Sequence, residues 1–152
     1  MLSAAFLSME NAAATHIRAG EIIARRVETF TLTYEFTFIG YRDTDSGIQF
    51  GGGVFDFGDG SIRDGQQDGF QITETQITSN IVRAEFTVRH TFEAPRNYIV
   101  SYAEDFRNAG IANMDNSVNT AFYTETLIVI DPFFGINNTP VLTVPPIDEG
   151  IP

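Results

Sequence analysis

The chain has 152 residues, a length that suits one domain with short appendages better than two full hydrophobic cores. Its formal net charge is −11, its nine cationic side chains are all arginine, and it has no cysteine. This composition makes nucleic acid and anionic membranes poor partners, and it excludes disulfides, thiol nucleophiles and zinc sites built on cysteine.

The first 15 residues combine a short apolar run with small side chains. Residues 2–9 are mostly apolar and residues 12–14 are alanines, a pattern typical of the end of a secretory signal. We interpret residues 1–15 as a signal-peptide remnant or, alternatively, a disordered tail, and the first interpretation implies a secreted or cell-surface protein. No stretch reaches the roughly 20 apolar residues that cross a bilayer, so we expect no membrane insertion.

Strands are predicted along most of the remaining chain, first weakly at residues 17–27. Residues 30–38 read FTLTYEFTF, and this period of two predicts a strand with one buried face. Weaker strands follow at 53–57 and 70–78, clear alternation returns at 82–88 and 98–102, and the run at 121–130 is long enough for a central strand. The side chains expected to face the core are Phe30, Leu32, Tyr34, Phe36, Phe38, Val82, Ala84, Phe86, Val88, Tyr98, Val100 and Tyr102.

Turn residues separate these strands, and no helical period follows residue 15. Glycine accompanies aspartate or asparagine at 43–47, 58–60, 64–65, 68–69 and 108–110. Glycine supplies positive φ and the Asx side chain bonds nearby backbone, so each group can reverse the chain. Short strands with turns at this spacing predict an all-β fold, an antiparallel β-sandwich of about seven strands over residues 16–133.

Residues 134–152 differ in character, because they hold four of the six prolines. Proline cannot donate to a strand ladder, so this segment is predicted to be a Pro-rich linker or the first strand of a following domain. Its apolar residues Val141, Leu142 and Val144 have no role in an isolated linker. The segment either docks along the sandwich edge or waits for the next domain, and we favour the waiting strand.

Two motifs carry a family resemblance. Residues 55–61, FDFGDGS, resemble the WDFGDGS signature of PKD (polycystic kidney disease) domains, and residues 90–100, HTFEAPRNYIV, resemble their H-x-Y-x-x-P-G-x-Y-x-V segment. The chain departs from the pattern at Phe55, Phe92 and Arg96, where Trp, Tyr and Gly are usual. The flanks resemble those of such modules in large secreted proteins associated with bacterial gliding motility.

The resemblance implies an immunoglobulin-like, PKD-like sandwich in which the acidic motif is structural. The residues agree, since Asp56 points away from its apolar neighbours and can accept hydrogen bonds from the following turn. His90 is expected to be a hydrogen bonder at the edge of the core rather than a catalytic base. The residues assigned to this structural motif are Phe55, Asp56, Phe57, Gly58, Asp59, Gly60, His90 and Tyr98.

Candidate binding residues are few. Asp43 and Asp45 precede a glycine in a D-x-D-x-G string, so calcium is the one cofactor considered, with a solvated turn as the alternative. Tyr41, Phe50 and Tyr123 could stack on sugar rings if they lie outside the core. No nucleophile elbow or phosphate loop occurs, so we expect no enzyme.

Together these patterns predict a non-enzymatic extracellular module of a multidomain protein, with a structural or adhesive role. Its expected partners are neighbouring domains, and surface proteins or glycans. The alternatives are a carbohydrate-binding module and a calcium-dependent adhesion domain.

Overall fold

The computed structural model describes residues 17–44, 50–105, 107, 114–131, 133 and 137–144. Within them lie eight strands, one turn of α-helix and a short 3-10 turn at Ser117–Asn119. The predicted signal segment 1–15 and Asp45 lie outside the described residues. In chain order the elements are β1 Ile17–Arg26, β2 Thr33–Asp43, β3 Val54–Asp56, β4 Ile62–Asp64, α1 Gly65–Asp68, β5 Thr73–Gln76, β6 Ile81–Thr91, β7 Asn97–Glu104 and β8 Phe122–Val129.

The strands form two four-stranded antiparallel sheets. One sheet has the order β1-β2-β6-β5 and the other the order β4-β3-β7-β8. This is the A-B-E-D and C′-C-F-G arrangement of immunoglobulin-like sandwiches. The predicted fold class is therefore confirmed, and the described part of the chain has one strand more than the predicted number.

The core between the sheets is built from aromatic rings on alternate strand positions. Phe36 and Phe38 on β2 and Phe55 beside them are 0% exposed. Phe38 lies 4.3 Å from Tyr102 of the opposite sheet, between ring centroids, and 5.5 Å from Phe86. Since these residues alternate with polar ones along each strand, the period of two selects which face of each sheet is buried.

Phe30 does not join this core, contrary to the prediction from its alternation. The connection between β1 and β2 runs through residues 27–32, and Phe30 is 99% exposed there. The Arg26 guanidinium donates to the carbonyl oxygens of Glu28 and Thr31, at 3.1 Å for its closest contact with each. These bonds fix a turn where the sequence pattern alone predicts continued strand.

Three elements differ in kind from the expectation. The three-residue strand β4 and the single helical turn α1 fill residues 62–68, where the sequence pattern predicts turns alone. The strand β8 lies at a sheet edge rather than in a central position. No helix in the described residues is long and apolar enough to span a membrane.

Part of the C-terminal segment docks on the sandwich. The Thr139 amide donates to the Ala24 carbonyl at 3.0 Å, and the Ala24 amide donates to the Thr139 hydroxyl at 2.8 Å. Asn137 donates through its side chain to the Val129 carbonyl at 3.1 Å. Residues 137–139 thus bridge the edge strands β1 and β8, as in the docked alternative, and the waiting strand stays a prediction for the rest of the segment. Beyond them Val141, Leu142 and Val144 are exposed.

Candidate functional site

The turn between β3 and β4 is closed by two aspartates. The Asp56 carboxylate accepts from the Gly58 amide at 2.7 Å, and the Asp59 carboxylate accepts from the Ser61 amide at 2.9 Å. Gly58 and Gly60 have φ values of +75° and +94°, which favour glycine. The acidic residues of this motif therefore hold the backbone of a reversal.

A second oxygen of Asp59 ties this turn to the other sheet. It lies 2.7 Å from Nε2 of His90 on β6, and only 12% of the Asp59 side chain and 15% of the His90 side chain is exposed. The imidazole stacks on Phe57 with ring centroids 4.1 Å apart. His90 is thus enclosed by the Asp59 carboxylate and the Phe57 ring. These two contacts hold the β3–β4 turn against β6 of the other sheet.

The electrostatics of Asp59 follow from these contacts. Burial raises its pKa, but the hydrogen bonds from the Ser61 amide and from His90 lower it by more, so the net pKa lies below the usual value. Because a depressed carboxyl pKa favours the folded state, this contribution to stability is present above the unfolded pKa and is lost as the pH falls through the folded one.

The aromatic contacts continue to the start of β7. Phe92 stacks on Tyr98 with ring centroids 4.1 Å apart, and the Arg96 guanidinium carbon lies 4.9 Å from the Tyr98 ring centroid. The Tyr98 hydroxyl donates to the Ala94 carbonyl at 2.7 Å, which is the tyrosine corner of immunoglobulin-like domains. Arg96 has no positive φ, and its guanidinium lies over the Tyr98 ring.

A buried carboxylate lies at the other end of the sandwich, and sequence reasoning missed it. Glu104 is 5% exposed, and one oxygen accepts from the amides of Gly51 and Gly52 at 3.1 and 3.2 Å. Its other oxygen accepts from the Tyr102 hydroxyl at 2.6 Å, and that hydroxyl accepts from the Gly53 amide at 3.1 Å. The available signals were the inward alternation of β7, which reaches Glu104, and the run of three glycines.

Burial is the largest influence on the pKa values of this pair. Burial raises the pKa of Glu104, although the hydrogen bonds from Tyr102 and from the two glycine amides oppose the shift. Burial raises the pKa of Tyr102 as well, and the adjacent Glu104 charge adds to it. Every polar partner of the carboxylate donates, so the network suits an ionised Glu104 that holds residues 51–53 against β7.

Of the predicted calcium pair, Asp43 and Asp45, the structure describes Asp43 alone, so the calcium site stays a prediction. Asp43 forms an ion pair with Arg18, so its charge is already balanced within the chain. No group of three or more His, Asp or Glu side chains able to hold a metal occurs among the described residues.

The predicted sugar-stacking residues divide by burial. Tyr41 and Phe50 are only 3% and 5% exposed, which corrects their assignment as candidate sugar platforms. Tyr41 packs with Ile39 and Ile81, and the Phe50 ring lies 5.3 Å from the Phe38 ring inside the core. Tyr123 is 50% exposed, and its hydroxyl donates to Glu125 at 2.7 Å. Of the three, Tyr123 alone offers a surface ring.

The comparisons with known proteins place the chain in a family. Residues 19–131, more than half of the chain, match the family model described as integrin beta-like protein A-E, N-terminal. The chain belongs to this family, an extracellular adhesion-type class. Neither the search of curated proteins nor the search of solved structures found a match.

Proposed function

We propose that this chain is an extracellular, non-enzymatic module with a structural and adhesive role in a larger cell-surface or secreted protein. The family match over residues 19–131 is the observation that carries the proposal. Within that class we propose a PKD-like module, and the Asp56–Gly58 turn supports this. An association with secreted gliding-motility proteins rests on the resemblance of the flanks.

The use of the polar residues supports a non-enzymatic role. The bond between His90 and Asp59 joins β6 to the β3–β4 turn, and Asp59 also accepts from the Ser61 amide within that turn. The Tyr98 hydroxyl joins β7 to the loop before it. Glu104, with three donors around it, holds a loop. A general base needs access to a substrate proton, and none of these enclosed groups offers it.

Binding to immobilised ligands tests the proposal. The purified chain should bind saturably to at least one protein on an array of extracellular-matrix and cell-surface proteins, and heat-denatured chain should not. The same chain is also applied to a glycan array. If it binds no protein and no glycan, the adhesive role is overturned.

Carbohydrate binding is a second candidate, and the exposure of Tyr123 favours it. A half-exposed tyrosine beside Glu125 offers a ring for stacking and a carboxylate for sugar hydroxyls. A glycan array separates the two candidates, because sugar binding should be lost in Tyr123→Ala and kept in Leu127→Thr.

A further inference from the structure

The outer faces of the two sheets differ sharply in chemistry. On the sheet β1-β2-β6-β5, Glu35 pairs with Arg25 at 2.7 Å and with Arg89 at 3.0 Å, and Thr37 bonds Thr87 at 3.2 Å. Antiparallel sheets with one wet face usually show this polar pattern. Its polar side chains around Glu35 and Thr37 suit water, and its apolar side chains Ile39 and Tyr41 are covered, at 4% and 3% exposed.

The outer face of the sheet β4-β3-β7-β8 carries large apolar side chains instead. Ile99 on β7 is 55% exposed and lies directly opposite Leu127 on β8, which is 56% exposed. Val129 continues this row along β8 and is 41% exposed. The further exposed apolar residues on this face are Val54, Ile62 and Tyr123. We call Ile99, Leu127 and Val129 the apolar row.

A cleft adjoins the apolar row. It has a volume of about 200 Å³ and lies between β8 and the docked segment, lined by Leu127, Val129 and residues 137–140. The bond from the Asn137 side chain to the Val129 carbonyl holds its far wall in place. A fixed cleft beside exposed apolar side chains is the geometry of an interface anchor pocket.

The charges of this face have one sign. Its outward strand positions include the carboxylates of Asp56, Asp64 and Glu125, and no arginine occupies an outward position on these four strands. A docking partner therefore gains from cations around its apolar contact. A second copy of the chain would bring carboxylates against carboxylates.

We propose that the outer face of β4-β3-β7-β8 is a docking surface for a protein that presents apolar side chains flanked by arginine or lysine. One apolar side chain enters the cleft beside Leu127, others cover Ile99, and the cations meet Glu125 and Asp56. This assignment rests on the proposed adhesive function and names the surface and the partner chemistry for it.

The test uses two defined peptides and amide chemical shifts of the isotope-labelled 152-residue chain. The cationic probe is acetyl-Arg-Leu-Arg-Val-Arg-Leu-amide, and the matched probe replaces each leucine and valine with serine. The apolar cationic probe should shift the amides of Ile99, Leu127 and Val129 saturably, and the serine probe should bind at least about fivefold more weakly.

Variants locate the contact. Leu127→Thr should weaken binding of the apolar probe by about tenfold, because it removes the wall of the cleft while keeping strand propensity. Thr87→Ser, on the polar face, should leave binding unchanged. Both variants lie at strand surfaces, and thermal melts check that they fold.

Three outcomes would overturn the assignment. They are equal binding of the two probes, shifts centred on the polar face, and self-association in sedimentation that Leu127→Thr abolishes, which would assign the face to a second copy. Failure of the adhesive function is distinct from these outcomes, because the wild-type chain would then bind no arrayed protein and no arrayed glycan, whatever the peptide result.

Discussion

A partly buried carboxylate, Asp59, and a buried one, Glu104, show how local surroundings shift the pKa of the same chemical group in opposite directions. Asp59 sits beside His90 and accepts from a turn amide, so its pKa is lowered. Glu104 accepts from the uncharged donors of Gly51, Gly52 and Tyr102, and burial raises its pKa. Both carboxylates hold loops, but their contributions to stability change with pH in opposite directions.

Replacing Glu104 with glutamine should remove one component of the pH dependence. The folded-state pKa of Glu104 lies above its unfolded value, so its contribution to stability is greatest below the unfolded pKa and falls as pH rises through the folded one. Glu104→Gln keeps a carbonyl for the amides of Gly51 and Gly52 and carries no charge. Its stability relative to wild type should therefore increase as the pH rises above about 4, the ordinary pKa of a glutamate.

Urea unfolding at a series of pH values measures this difference. Glu125→Gln, at an exposed position of β8, is the control and should follow the wild-type curve. If the free energies of unfolding of Glu104→Gln and wild type changed in parallel with pH, ionisation of the buried carboxylate would cost the folded state no stability, contrary to the prediction.

The sequence indicated Asp56 and not Glu104, for a physical reason. Asp56 stands next to a glycine turn, and an Asx bond to an amide two residues ahead is a local event that sequence spacing encodes. Glu104 bonds amides about 50 residues away, and in a chain with 20 acidic side chains one more carboxylate carries no signal. Only the pairing of β3 with β7 brings its partners together.

At the scale of elements, length decided what the pattern could predict. Strands β2 and β6 have 11 residues each, and the period of two marked both. Strand β4 has three residues, too few for a period to appear. The alternating pattern of β2 extends back to Phe30, although the strand begins at Thr33. The turn before β2 depends on the bonds from Arg26 to backbone carbonyls, which residue type does not reveal.

The turn between β3 and β4 offers a matched pair of glycines. A Cβ on Gly58 would press against the Ile99 carbonyl oxygen, whereas a Cβ on Gly60 would meet nothing within 4 Å. Both have positive φ, so Gly60→Ala should cost about 1–2 kcal/mol of conformational strain. Gly58→Ala adds a backbone collision and should cost more than about 3 kcal/mol. Equal losses in thermal or urea unfolding would mean that β7 moves away freely.

The docked C-terminal segment can be tested by two truncations. A chain ending at Phe134 loses the bonds of residues 137–139 to β1 and β8, and should lose more than about 1 kcal/mol of stability. A chain ending at Pro140 keeps them and should match wild type. Hydrogen exchange should find the Thr139 amide protected and the amides of the exposed residues Val141, Leu142 and Val144 unprotected. Protection across residues 141–144, or a silent first truncation, would contradict the docking.

For the whole molecule, the sequence predicted the class of fold but not the order in which the strands pair. Alternation shows that a strand has a buried face, and turn spacing favours a sandwich, but neither names the partner strand. The central pairs, β2 with β6 and β3 with β7, join segments about 50 residues apart. These pairings put Phe36, Phe38 and Tyr102 in one shared core.

A comparison of two phenylalanines from one alternating run tests that shared core. Phe38 is 0% exposed and touches rings from both sheets, while Phe30 is 99% exposed. Phe38→Ala leaves a cavity and should cost about 3–5 kcal/mol, a large part of the roughly 5–15 kcal/mol of a typical domain. Phe30→Ala should change stability by less than about 0.5 kcal/mol.

Hydrogen exchange tests whether the two sheets unfold together. Because both sheets bury their inner faces on the same rings, amides of β2 and β7 should report one free energy of unfolding, and Phe38→Ala should lower it for both strands. If the variant destabilised β2 while β7 kept its protection, the two sheets would be separate cooperative units, and the single core would be refuted.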